Sequence, residues 1–253
     1  MSFPFELPTL TPYLAYAIAC VLGAAIVRGF SGFGFSLLVI TALSLALPPV
    51  EVIASVLMME IAASLHLMPS IWRDIHWRSL GFLTLGQIVA TPFGVWALAT
   101  IPVGPMKIAL SLFVLATVAL LAAGFAMKRM PGDAATTATG AASGLLNGAF
   151  GIGGPPVVLF FLSSPAGAAA GRASLIAYFF GTDVIALGWQ AWAGLVTTGH
   201  IVKAVLFLPA LIAGIWLGAR GFSGVDPVRF RQAVLALLGV MALLIGVQGV
   251  FQP

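Results

Sequence analysis

Two glycine clusters carry most of the chemical promise in this sequence. Gly29, Gly32 and Gly34 recur as Gly148, Gly151 and Gly153 at a constant spacing of 119 residues, and each cluster interrupts a hydrophobic stretch. Glycine opens backbone conformations closed to other residues and lets neighbouring groups approach closely. A helix that restarts after such a break presents unpaired N–H groups and a partial positive charge, a setting suited to an anion. Further donors flank both clusters: the charge of Arg28, the hydroxyls of Ser31 and Ser36, and the side-chain amide of Asn147. The candidate substrate-binding residues are therefore Arg28, Gly29, Ser31, Gly32, Gly34 and Ser36 in the first half. In the second half they are Asn147, Gly148, Gly151, Gly153 and Gly154. Pro155-Pro156 favours a helix start there, because proline suits the first turn and lacks the N–H in any case.

Two acids form a second constellation. Glu60 and Asp183 occupy equivalent mid-helix positions in the two halves. Carboxylates at such depth serve as proton relays, cation ligands or counter-ions. Gln190 lies two turns from Asp183 on the same helical face, so Glu60, Asp183 and Gln190 are the candidate coupling residues. Arg28 is costly in lipid unless paired or hydrated; an anionic substrate and an ion pair with Glu60 are both open to it. Glu51, just after Pro48-Pro49, suits a helix start. His66, His76 and His200 lack the partner spacing that zinc needs, and Cys20 reads as a small buried apolar side chain. Gly214–Gly218 and Ala90–Gly94 read as helix-packing seams, and the tryptophans as interface anchors or packing groups. No metal and no prosthetic group is implied.

The elements that hold these residues must lie in lipid. The chain has 253 residues, 61% of them hydrophobic, and only 11 basic and 7 acidic side chains. Soluble domains carry about a quarter charged residues, so this inventory cannot build a water-exposed surface. The bases are too few and too dispersed for a nucleic-acid face. Six stretches suit a membrane span: 50–68, 79–101, 106–127, 173–196, 201–219 and roughly 230–250. The two broken regions differ. Residues 13–27 and 35–47 flank the first glycine cluster, and 136–147 and 155–162 flank the second. Each piece reads as a half-length helix, too short for a roughly 30 Å hydrocarbon core.

The glycine register continues as Ile53-Ala54 with Ile176-Ala177, Gly94 with Gly218 and Pro105 with Pro227. One duplicated unit of about 125 residues accounts for this order, with a join near 128–137 and a small-residue insert around 166–170. The expected organisation is an all-α multi-pass membrane protein with halves 1–127 and 128–253. Each half holds a glycine-broken hairpin, re-entrant or of half helices, plus three transmembrane helices. Arg73, Arg78, Lys128, Arg129, Arg172, Arg220, Arg229 and Arg231 then fall on one side, the cytoplasmic one, with Lys107, Lys203 and both termini outside. Two short full crossings per broken region would give the same parity, so ten short helices stay open. An odd number of crossings per half inverts the second half, the plan of many secondary transporters. No Lys or Arg precedes Arg28, so the first hydrophobic segment is expected to belong to the mature protein.

The segments Arg28-Gly-Phe-Ser-Gly-Phe-Gly-Phe-Ser36 and Gly144-Leu-Leu-Asn-Gly-Ala-Phe-Gly-Ile-Gly-Gly-Pro-Pro156 together resemble the sulfite exporter TauE/SafE family, also described as sulfonate uptake permeases. Length, duplication and spacing fit along the whole chain. The resemblance implies a bacterial inner-membrane transporter for a small anion such as sulfite, an organosulfonate or sulfoacetate. The first break departs from the family's common triple-glycine form, with Phe33 and Phe35 flanking Gly34. The expected function is alternating-access transport of that anion, coupled to protons or to a cation, and a homo-oligomer is compatible with it. The lipid bilayer is the other expected partner, and nucleic acid is not one. Three alternatives stand beside it: a passive anion channel with the glycine breaks as its filter, an intramembrane serine protease using Ser31 and His66, and a structural membrane partner.

Overall fold

The computed structural model describes residues 12–123, 131–162, 168–220 and 226–251, and among these there are helices and turns but no strand. The first broken region is α1 (Pro12–Ser31) followed by α2 (Phe35–Leu43). Then come α3 (Val50–Ile71), a 3-10 turn at Trp72–Asp74, α4 (Trp77–Thr100) and α5 (Val103–Ala122). The second broken region is α6 (Asp133–Phe150) followed by α7 (Gly154–Leu162). The chain closes with α8 (Ala168–Trp192), α9 (Thr198–Arg220) and α10 (Pro227–Phe251). Among the described residues six helices are long and apolar enough to cross a membrane: α1, α4, α5, α8, α9 and α10. The 22-residue α3, which carries Glu60, matches them in length. The expected all-helical multi-pass protein is what the chain forms.

The breaks fall where the glycines place them, but the helices before them are longer than the sequence suggested. α1 has 20 residues and α6 has 18, so at 1.5 Å per residue they reach about 30 and 27 Å. The short partners are α2 and α7, nine residues each. The physical reason is that Gly29 and Gly148 do not interrupt their helices. Of the glycines in the two clusters, Gly32, Gly34 and Gly151 are the ones that take positive φ, at 82°, 92° and 65°, where a side chain would be strained. Tyr16 Oη donates to the carbonyl of Ala42 at 2.7 Å. α2 therefore runs back along α1, as a hairpin requires.

Small residues set the packing. α4 and α6 run parallel in close contact: Gly140, Gly144 and Gly148 meet the backbone of Leu83, Gln87 and Thr91 in turn. α1 and α9 also run parallel, with Gly29 against Gly218 and Gly214 against Leu22 and Ala25. α5 and α10 run antiparallel, joined by a hydrogen bond from Ser111 Oγ to the carbonyl of Ala242 at 2.7 Å and one from Lys107 Nζ to Gln248 Oε1 at 3.1 Å. α3 and α8 cross at the centre, each also touching the other half's long helix, α9 and α4 respectively. Without a hydrophobic drive between helices in lipid, such close backbone approach is what holds them together. The expected seams at Gly214–Gly218 and Ala90–Gly94 are both present. Outward-facing residues such as Val89, Phe93, Trp96, Leu243 and Val250 leave an apolar perimeter.

Arg73, Arg78, Arg172 and Arg220 all lie at helix ends on one side of this bundle, and Arg78 pairs with Asp133 there at 3.1 Å. The opposite side carries the α4–α5 and α8–α9 connections. His76 and His200 each support a helix start. Nδ1 of His76 accepts from the Ser79 amide at the start of α4, and Nδ1 of His200 accepts from the Thr197 amide at the start of α9. The join at Lys128–Arg129 and residues 166–167 of the insert lie outside the described residues.

Candidate functional site

The two breaks meet at one internal cavity. Its walls include Phe33, Gly34, Ser36 and Glu60 from the first half and Asn147, Gly153, Gly154, Phe179 and Asp183 from the second. Water-sized spheres can be centred in about 30 Å³ of it, room for about two waters. Apolar residues Leu37, Leu121, Ile152 and Val158 close the remaining surface.

In the first half, Arg28 sits in the last turn of α1 and forms a buried ion pair with Glu60 from the middle of α3. Arg28 Nη2 also donates to Ser64 Oγ at 3.0 Å. The other carboxylate oxygen of Glu60 accepts from the Ser36 amide at 3.2 Å and from the Ser36 hydroxyl at 3.0 Å. A carboxylate seated at the first turn of α2 is where the helix dipole favours negative charge. The break thus binds an anion already, one supplied by the protein itself. Of the two roles open to Arg28, the ion pair is the one realised. Arg28 stands behind Glu60, while Glu60 faces the cavity.

In the second half, Asn147 holds the position equivalent to Arg28. Its Nδ2 donates to Asp183 Oδ1 at 3.1 Å and to Thr182 Oγ1 at 3.2 Å, and its Oδ1 accepts from the Gly153 amide at 3.1 Å. One side chain therefore ties the second break to the acid of α8. Ser143 supports the same turn by donating to the carbonyl of Gly153. Both mid-helix acids are held by the residue four positions before the break glycine of their own half. Asn147→Ala would orphan the Gly153 amide and remove the donor to Asp183, at about 1–3 kcal/mol for each buried group left unpaired. The expected result is a lower melting temperature in detergent together with loss of transport; a melt equal to wild type would remove this role.

The remaining candidates are distributed unevenly. Gly34, Ser36, Asn147, Gly153 and Gly154 line the cavity with both acids. Gly29 and Gly148 do not: a Cβ on Gly29 would lie 2.3 Å from the Ile215 carbonyl oxygen, and one on Gly148 would lie 2.4 Å from that of Thr91. They serve helix contact. Gly151 is wedged against Ile53 and Ile40. Gly32 packs beneath Arg172, whose Nε would lie 3.3 Å from a Cβ there. Gln190 is buried near the far end of α8, its Nε2 without a partner, about 10 Å along the helix from Asp183. It does not reach the cavity walls. The side chains of Ser31 and His66 lie outside the described residues.

Several residues around the acids carry no sequence signal. Ser64, Thr182, Ser143 and Gln87 all come from helix faces, and Gln87 Nε2 donates to the carbonyl of Thr182 at 3.4 Å. Arg172 is an exposed base above the first break, read from sequence only as a flanking charge.

Known proteins point the same way. The chain is 27% identical over 215 residues to the probable sulfite/organosulfonate exporter TauE of Cupriavidus necator, covering 82% of this chain and 84% of that protein. No solved structure matches it. The profile of the family described as sulfite exporter TauE/SafE matches residues 17–245. Family and relative alike are named as exporters rather than enzymes. With nearly the whole chain matched and its helices built for lipid, the protein is a multi-pass membrane transporter that belongs to the sulfite exporter TauE/SafE family.

Proposed function

We propose that this protein is a secondary carrier for a small anion, namely sulfite, an organosulfonate or sulfoacetate, in the bacterial inner membrane. It works by alternating access between an N-terminal half, 1–127, and an inverted C-terminal half, 128–253. The cavity shared by both breaks is the observation that carries this reading. Substrate binds there, between α2 and α7, when the halves part and widen the two-water space, with Ser36, Asn147 and the Gly153–Gly154 amides as the nearest donors. Arg28 and Arg172 supply positive charge behind and above. Glu60 and Asp183 are the coupling groups.

Inversion is supported by the exchange of contacts between halves. The Gly29–Gly218 approach between α1 and α9 maps onto the Gly148–Gly94 approach between α6 and α4. α3 with α9 maps onto α8 with α4, while α5 with α10 and α3 with α8 map onto themselves. A two-fold axis in the membrane plane generates this pattern, and such axes place binding sites near mid-membrane. The arginine-rich side is then cytoplasmic.

The test is uptake of radiolabelled methanesulfonate and sulfite into proteoliposomes. Saturable uptake that accelerates when the vesicles are preloaded with unlabelled substrate is the expected result, because a carrier exchanges faster than it returns empty. Flux that stays linear with concentration and ignores preloading identifies a passive channel instead.

A further inference from the structure

We propose that Asp183 carries the exchangeable proton of the transport cycle, one for each anion, while Arg28 keeps Glu60 ionised throughout. This rests on the carrier reading above and names its coupling partner. It begins from a mismatch. Among the described residues, a cavity meant for an anion is lined by two carboxyl groups, Glu60 and Asp183, and by no basic side chain. Unless that negative charge is cancelled, an anion is repelled, and the low dielectric of the interior strengthens the repulsion.

The two acids are cancelled differently. Glu60 receives three donors, the Arg28 guanidinium, the Ser36 amide and the Ser36 hydroxyl, one of them fully charged. Among the described residues Asp183 receives a single donor, the neutral amide of Asn147. Donors to the charged form hold a carboxyl ionised, and a lack of them favours protonation. The other ionisable groups facing Asp183 are few. On its own helix there is Tyr178, buried beside Ser143 and Thr182. α1 and α3 present Arg28 and Glu60, which pair with each other, and the Arg28 charge also reaches Asp183. From α4 come Gln87 and Thr91, from α6 Ser143 and Asn147, and α7 contains no ionisable residue. The 3-10 turn adds Arg73 and Asp74 at the rim, on the arginine-rich side.

The charge balance is then simple. Arg28 and Glu60 sum to zero, so ionised Asp183 leaves the centre at one negative charge. A proton taken from water onto the Asp183 carboxylate removes it, and the anion enters a neutral site. On the other side the anion leaves and the proton returns to water. Reciprocity follows: bound anion raises the proton affinity of Asp183 by the factor by which the proton raises anion affinity. A monovalent sulfonate moving with one proton carries no net charge.

The full-length protein in proteoliposomes tests this with radiolabelled methanesulfonate, under separately imposed pH gradients and potassium–valinomycin potentials. Expected for the wild type is uptake that responds to external pH by up to about tenfold per unit, the slope of one linked proton, and that ignores the potential. Asp183→Asn is expected to lose the pH response and to follow the potential. Arg28→Met/Glu60→Gln, which removes both charges of the pair and leaves the balance at the centre unchanged, keeps the pH response in the flux it retains, whereas Glu60→Gln alone leaves Arg28 to cancel ionised Asp183 and weakens that response. Wild-type flux that follows the potential and ignores pH overturns the proposal, whatever the variants do. So does a pH response that survives Asp183→Asn, or one that disappears from Arg28→Met/Glu60→Gln. Absence of any saturable flux, in contrast, overturns the carrier reading itself.

Discussion

Arg28→Met is expected to leave little folded protein and no transport, the largest single effect in the first half. The substitution strands the Glu60 carboxylate in a site only 4% exposed. Removing one partner of a buried pair costs about 3–5 kcal/mol, because the other charge stays in a medium that solvates it poorly. The Ser36 donors compensate in part, since they reach only one carboxylate oxygen. Arg28→Met/Glu60→Gln is neutral overall and is expected to recover most of the folded population. A double-mutant cycle on melting temperatures reads the coupling directly. Single variants that melt within a degree or two of wild type would mean that the pair contributes nothing, and that the first break is held by its glycines alone.

Gly94→Val is expected to abolish the folded protein. A Cβ at Gly94 would lie 2.1 Å from the Leu145 carbonyl oxygen and 2.7 Å from the Ala149 amide nitrogen. Both are backbone atoms of α6, so no rotamer change relieves the clash and the helices must separate. Overpacking typically costs about 1–3 kcal/mol, and here it also opens the neighbouring approaches at Gly140, Gly144 and Gly148. Gly81 is the internal control: it shares α4 and a Cβ there meets nothing within 4 Å. Gly81→Val is expected to extract from the membrane as a monodisperse species, and Gly94→Val as aggregate. Equal behaviour of the two on size exclusion would mean that the α4–α6 seam is not what assembles the bundle.

The glycine duplication made the breaks legible, because positive φ and close approach both demand that residue. The lengths of α1 and α6 were misread for a related reason. Gly29 and Gly148 look like breakers in sequence, but their missing Cβ serves a neighbouring helix rather than a turn. Sequence register tells which glycines correspond, not which atoms oppose them. Glu60 and Asp183 stood out as charges in apolar helices, and both face the cavity. Gln190 followed from helical spacing alone, and about two turns of rise carry it out of reach. Ser64, Thr182 and Ser143 were invisible because a lone hydroxyl on a helix face carries no periodic signal. The partners of Ser64 and Thr182 come from elements more than thirty residues away, and that of Ser143 lies across the break that follows its helix.

The interlaced seams constrain how the protein can be made. α1 closes against α9 and α4 against α6, so neither half contains the surface that its own broken helix requires. A ribosome that has released residues 1–122 has inserted a bundle whose α1 still shows a bare glycine groove to the lipid. That groove stays open until residues 198–220 emerge. Maturation therefore finishes late and as one event, and the two halves expressed as separate chains should survive the cell's proteases only when both are present.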